Sequence, residues 1–437
     1  MSRSIATLLF AALLTACGAP SEPPERIVLI TLDTLRHDAF ADDGTRTPTM
    51  PLTRAWAERG RVFERHFAVT STTGPTHATL LTGDPPWRHG ITRNGLILPP
   101  EIATIPERLN EMGWETGAVV GSFALHRTFG FEQGFDVFRD EFQRDFLGMR
   151  EWSGAEVPGG AFFSLADFVT GQAIEMLDGS GGGNQFFWFH YFDPHAPYGA
   201  TGERSMEVDD IRSGARRNPR AVDALLAEAR HLYDADVLFL DRELNRLFRR
   251  LSQDEDRYAT HVFVVSDHGE SFGENGVLAH GSRVSDEQIR VPLILRSPLV
   301  EPGIESAPTG SIDVAHAILA IAGIGDREGA ALLSGADPSR RVFGMRQTFL
   351  RQERERRTDD RNIFPSARWF YCVDGDRVYR GNWSGILGED GRPIERDLAS
   401  AITTAFEAFE REAEGRSPEE VLDDEALEAL RALGYLH

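Results

Sequence analysis

Three stretches of this 437-residue chain are almost wholly apolar, and each runs directly into acids or imidazoles. Arg26 to Asp33 (RIVLITLD) carries Ile27, Val28, Leu29, Ile30 and Leu32, shows no polar face and stops at Asp33. Phe186 to Tyr191 (FFWFHY) leads to Asp193-Pro194-His195, and His261 to Ser266 (HVFVVS) delivers Asp267-His268-Gly269-Glu270. A strand apolar on both faces must be covered on both faces, which implies a mainly parallel sheet between helical layers, an α/β fold. In open sheets of this kind the ligand lies beyond the carboxyl ends of the strands, so Asp33, Asp267 and His268 are expected along one sheet edge.

The intervening segments read as the covering helices: Pro48 to Arg59, Leu165 to Leu177, Ala221 to Leu251 and Ile312 to Ala322. The third is amphipathic, with Leu225, Leu232, Val237, Leu240, Leu244, Leu247 and Leu251 along one face. Glu115 to Val120 and Val291 to Leu295 supply further strands, and there is no internal repeat. A composition of 41% hydrophobic residues suffices for one large domain and a smaller one. After about Gly325 the character changes: strands are expected at Trp369 to Val373 and Arg377 to Arg380, and helices at Asp397 to Glu412 and Glu419 to Leu433. The charged run from Arg351 to Arg361 reads as a solvated face.

Net charge is −22, which argues against a nucleic-acid partner or an anionic membrane surface, both of which select basic stripes. All 46 basic residues are arginine, so any bound anion must be met by Arg, His, backbone or metal. Residues 5 to 14 are apolar behind Arg3, too short to span a bilayer. Leu14-Thr15-Ala16-Cys17 resembles a bacterial lipoprotein signal, implying lipid on Cys17, with Gly18 consistent with outer-membrane sorting. Residues 18 to 25 would be a Pro-rich tether. Lipidation of Cys17 would leave Cys372 without a disulfide partner.

Thr70 to Gly83 crowds hydroxyls before a Gly-Pro turn and then enters an apolar helix. Pro75 suits a first helical turn, and the helix start favours an anion, which makes Thr73 the candidate nucleophile. Taken singly, such features are ordinary: a helix cap, a strand-end acid, His190 as core within its aromatic strand, His280 as a loop residue. In combination, two carboxylates and an imidazole at one edge form a divalent-metal set of Asp33, Asp267 and His268, with Thr73 as fourth ligand. A cation there would acidify the Thr73 hydroxyl without an adjacent base.

Several ordered motifs carry a resemblance: VLITLDTLRHD at 28–38, TGPTHATLLTG at 73–83, FGFEQGFDVF at 129–138, FHYFDPHAPY at 189–198, VVSDHGESFGENG at 264–276, RVPLIL at 290–295 and ALRALGYL at 429–436. Together they resemble a sulfatase-type member of the alkaline phosphatase superfamily. The resemblance implies a three-layer sandwich over residues 26–324 and a small C-terminal α+β subdomain over 325–437. It places Thr73 where sulfatases have the Cys or Ser that matures to formylglycine, His77 where they have Arg, Thr34 in place of an Asp and His268 in place of an Asn. Threonine is not a substrate for that maturation, and an Asp-Asp-His shell resembles the phosphodiesterase and phosphoethanolamine-transferase branches, which use zinc or manganese; calcium prefers an all-oxygen shell. With no lysine available, His77, His195 and His280 are expected on the substrate anion, His195 and His280 also as general acid. Asp193, His195 and His280 are the alternative set for a second ion. The expected substrate is a small, lipid-linked or glycan-linked phosphoester or sulfoester, phosphoester favoured. The competing readings are a sulfatase proper and an inactive surface-anchored binding lipoprotein.

Overall fold

The computed structural model describes residues 23–382, apart from 43, 45, 146–149, 326–329 and 349–366, and a few positions up to 402. Its centre is an eight-stranded sheet built from β1 (Glu25–Leu32), β2 (Arg61–Phe63), β3 (Glu115–Val120), β4 (Val137–Arg139), β5 (Gln185–Tyr191), β6 (Ala259–Ser266), β7 (Leu293–Arg296) and β8 (Gly303–Glu305), in spatial order β8-β2-β7-β6-β1-β5-β3-β4. The three apolar stretches are the middle of this sheet. β1 pairs in parallel with β5 on one side and β6 on the other, and Leu32 lies level with both Tyr191 and Ser266.

Alternation along these buried strands supplies two cores. Ile27, Leu29, Trp188, Phe263 and Val265 face one layer, which contains α1 (Thr73–Thr82). Val28, Ile30, Phe187, Phe189, Val262 and Val264 face the other, formed by α2 (Ala166–Gly179) and α3 (Val222–Ser252). A further helix, α4 (Ser311–Ile321), packs beside α1. The expected stripe on α3 is the one it buries: Val237, Leu240, Leu244, Leu247 and Leu251 are buried, and Leu225 and Leu232 are partly so. Each such leucine contributes roughly 1.5–3 kcal/mol by leaving water. The result is the α/β/α sandwich expected from the strands, with two short strands, β2 and the edge strand β8, that their brief, mixed sequences did not announce. β7 runs antiparallel to β6, an orientation its apolar run does not encode.

A second, antiparallel sheet follows: β9 (Arg341–Thr348), β10 (Ala367–Asp374), β11 (Arg377–Asn382) and β12 (Gly385–Leu387). β10 and β11 were expected; β9 was not. The sheet docks on the loop before α1, where Met345 N–H donates to the Val69 carbonyl at 2.9 Å and Tyr371 O–H to the Ala68 carbonyl at 2.7 Å. Of the helix expected at Asp397 to Glu412 only Ala399 and Ile402 are described, both helical; the rest of it, the helix expected at Glu419 to Leu433, the charged run at 351–361, the Cys17 segment and most of the tether lie outside the described residues. Among the described residues no helix is long and apolar enough to cross a membrane.

Candidate active site

Strand register assembles the site. Asp33 N–H donates to the Tyr191 carbonyl at 2.9 Å and Asp267 N–H to the Leu32 carbonyl at 3.3 Å, so the pairing continues past the strand ends and holds the two acids side by side. Thr34 follows with φ at +55°, a conformation costly for a β-branched residue. That turn aims its N–H at Asp267 Oδ1 (3.1 Å), which also accepts from His268 N–H at 2.7 Å. Asp267 Oδ2 and both oxygens of Asp33 are buried with no hydrogen-bond partner.

His268 completes the group. Its Nδ1–H donates to the Gly269 carbonyl at 3.1 Å, so in the neutral ring the Nε2 lone pair is the one presented to the site. Nε2 lies 3.4 Å from Asp267 Oδ2, 3.9 Å from Asp33 Oδ1 and 3.3 Å from Thr73 Oγ1. Among the described residues, Asp33, Asp267 and His268 are the group whose ligand atoms fall within 4.8 Å of one another. Burial, then the charge of Asp33, pushes the Asp267 carboxyl well up; burial also raises Asp33, and burial lowers His268. Two buried carboxylates with orphaned oxygens and a neutral imidazole facing them are what a divalent cation requires, so the residues fit the ion the sequence implied.

Thr73 opens α1 directly after the extended residue Thr72, and its side chain is buried. The N–H groups that follow Thr73 at this helix start are taken up within the protein. Gly74 N–H donates to Asn94 Oδ1 at 2.7 Å, Pro75 has no N–H, and Thr76 N–H donates to the Thr72 carbonyl. What the helix contributes is its dipole and the placement of the hydroxyl. Asn94 was not foreseen, because it reaches Gly74 from a separate loop.

The histidines divide. His195 and His280 reach the site: their rings lie 5.0 Å apart, and His280 lies 4.4 Å from His268. His195 Nδ1–H donates to the Ala196 carbonyl at 2.6 Å. Burial would lower the His280 pKa, but the Glu270 carboxylate beside it outweighs burial and raises it. His77 is corrected: it is fully buried beneath Thr73, donating Nδ1–H to the Thr73 carbonyl at 2.8 Å, with its ring against Trp188 and His190. Burial lowers its pKa to about 3, so it is a neutral support rather than a contact for a substrate anion. His190 is core, as its strand suggests, yet it also faces the site: Gly121 N–H donates to Nδ1 at 3.3 Å, and Nε2 lies 3.5 Å from Asp33 Oδ2.

The second-ion set is also corrected. Asp193 Oδ1 accepts from Ala166 N–H at 2.9 Å at the start of α2, and Asp193 does not join His195 and His280 in a metal-type group among the described residues. Sequence proximity in Asp-Pro-His suggested otherwise, but the turn sends the acid to cap a helix.

Residues 25–324 match the Sulfatase family. The chain belongs to it. The chain is 23% identical over 373 residues to the choline-sulfatase of Rhizobium meliloti (strain 1021), covering 74% of this chain and 72% of that one. It is 26% identical over 323 residues to the ulvan-active sulfatase of Formosa agariphila, covering 70% of this chain and 62% of the relative. Its fold matches that of the phosphonate monoester hydrolase from Silicibacter pomeroyi with a TM-score of 0.63 at 21% identity, over 89% of this chain and 94% of that one. The family is one of ester hydrolases that depend on a metal, which agrees with the Asp-Asp-His group.

Proposed function

We propose that this member cleaves a phosphoester, with Thr73 as a nucleophile that needs no maturation. The observation that carries the reading is the unmodified Thr73 hydroxyl at a helix start, 3.3 Å from His268 Nε2 and beside the orphaned oxygens of Asp33 and Asp267. Asp33, Asp267, His268 and the Thr73 hydroxyl would hold one divalent ion, zinc or manganese suiting an imidazole better than calcium. Bound there, the ion supplies charge that acidifies the hydroxyl and offsets the negative charge of the ester.

The chain's own residues do the rest. Thr73 Oγ1, its proton released to solvent, forms a bond to phosphorus as the bond to the leaving oxygen breaks on the opposite side. His280 donates a proton to that oxygen, and His195 orients the equatorial oxygens. Water or an acceptor alcohol then attacks phospho-Thr73, the Oγ1 to phosphorus bond breaks, and the incoming hydroxyl returns a proton to His280. The sulfoester reading is favoured by the relatives that act on sulfated compounds, choline sulfate and ulvan by their names. We also propose, from the Cys17 motif alone, that the enzyme is tethered by lipid to the bacterial envelope.

The test is to purify the chain lacking residues 1–17, load it with zinc, manganese or calcium, and assay aryl phosphodiester, phosphomonoester and sulfate esters beside Thr73→Ala. Phosphodiester turnover that falls at least about 1,000-fold in the variant supports the reading. Turnover of the sulfate ester alone overturns it.

A further inference from the structure

Arg346 belongs to β9 of the second sheet, and its buried guanidinium lies among the loops around Thr73. Nε–H donates to the Gly281 carbonyl at 2.7 Å and Nη1–H to the Thr92 carbonyl at 3.3 Å. Gly281 directly follows His280, and Thr92 precedes Asn94 by two residues. Both loops touch the start of α1. Asn94 Oδ1 accepts from Gly74 N–H at 2.7 Å. Gly281, at φ +75°, lies against Thr72, since a β-carbon there would meet Thr72 Cγ2 at 3.1 Å and the Ser71 carbonyl oxygen at 3.6 Å. Two residues further on, the Arg283 carbonyl accepts from the Ser71 hydroxyl at 2.7 Å.

β9 is seated closely enough for this reach. A β-carbon at Gly344 would collide with the Val69 carbonyl oxygen and the Tyr371 ring, so only glycine lets the strand come so near the loop before Thr73. Arginine suits the task because its planar fork holds two donors at a fixed separation, whereas a lysine ammonium offers one nitrogen. Asp33, Asp267 and His268, by contrast, take their places from the pairing of β1 with β5 and β6. The metal-type group and the frame around the hydroxyl are therefore built by different parts of the molecule.

We propose that Arg346 is a positioning residue that sets Thr73 between the His280 and Asn94 loops, which makes the second sheet part of the active site. This deepens the ester-cleavage reading above and rests on it. The role is geometric, and a displacement of about 1 Å in an attacking group can cost about 100-fold in rate.

The experiment uses the zinc- or manganese-loaded enzyme with an aryl phosphodiester, or an aryl sulfate if that is the ester turned over. Arg346→Lys keeps the charge but not the two fixed donors. Gly344→Ala leaves Arg346 in place and lifts β9 from Val69. The expected result in both is a kcat about 100-fold lower, with the zinc or manganese Kd measured by calorimetry unchanged. Independently of turnover, hydrogen exchange should quicken in peptides spanning 69–76, 90–96 and 278–284, because Gly74 N–H is protected only while Asn94 is held against it. Peptides from β1 and β6 should keep wild-type rates, which shows that the fold is retained.

Wild-type kcat in Arg346→Lys overturns the proposal. So does a reduced kcat with all three loops exchanging as in wild type, which assigns the guanidinium to the substrate anion itself, and so does a loss of metal binding that accompanies the loss of turnover. Wild-type enzyme with no turnover of any ester overturns the ester-cleavage reading instead, and the exchange rates then still decide whether Arg346 holds the loops.

Discussion

Asp33 and Asp38 lie five residues apart at the end of one strand, both largely buried, and their surroundings are opposite. Asp38 receives Arg36 at 2.8 and 3.0 Å and Arg230 at 2.8 Å, and Arg36 also reaches Glu274 and the Glu270 carbonyl. Asp33 has neither oxygen hydrogen-bonded. Burial raises the Asp33 carboxyl; at Asp38 burial acts the same way, but the hydrogen bonds and charge of Arg36 and then Arg230 outweigh it and depress the pKa. The contrast separates a carboxylate that holds loops together from one kept at a cost for a ligand that brings its own charge.

The comparison breaks most visibly at Asp33. Asp33→Asn should lower kcat by at least about 1,000-fold while leaving the metal-free protein as stable or about 1–2 kcal/mol more stable, because an uncompensated buried charge has gone. Denaturant melts in chelator, paired with zinc or manganese titration, check both halves. Wild type should gain about 2.7 kcal/mol at metal concentrations 100 times Kd, and the variant should gain much less. A metal-free variant that is clearly destabilised would place Asp33 in the same class as Asp38.

Asp38→Asn is the converse, with an expected loss of about 3 kcal/mol from two guanidiniums left facing a neutral group. The pH dependence has a fixed sign. The folded pKa of Asp38 lies below its ordinary value of 3.8, so its contribution is fully present above about pH 4 and is lost as pH falls through the depressed folded value. Denaturant midpoints for wild type should therefore fall more steeply below about pH 4 than those of Asp38→Asn. At the small end, the exposed pair Arg212–Asp209 at 3.2 Å should matter by less than about 0.5 kcal/mol when Arg212 becomes alanine, which measures what pairing is worth without burial.

Much of the fold was legible because buried parallel strands are written as continuous apolar runs. β1, β3, β5 and β6 lie where those runs are, and α3 buries the leucine stripe that marks it. Short strands were not: β2 and β8 are three residues each, and β9 carries Arg341 and Arg346 among its apolar positions. In the site, Asp33, Asp267 and His268 were readable as the final residues of strands, and Thr73 as the start of a helix. Glu270 and Asn94 carried no such signal. Glu270 matters because a hairpin folds His280 back onto it, and Asn94 because its loop crosses the start of α1. His77 and Asp193 show the reverse error, residue types suited to chemistry that the backbone turns toward the core and toward the N-terminus of α2.

The amino-acid sequence alone determined a layered α/β sandwich, the strand ends that carry acids, a hydroxyl at a helix start, and a chain with no lysine to neutralise an anion. These follow from local rules, since side-chain periodicity and residue type act over a few positions. Only the tertiary structure decided which of the eight candidate side chains share a space. Asp33 meets Asp267 because β1 and β6 are level at Leu32 and Ser266, and His280 meets Glu270 because a short hairpin folds it back. Such meetings depend on register between strands more than 200 residues apart and on turns at Thr34 and Ala279 that fix where a side chain points, and neither is encoded within the segments themselves.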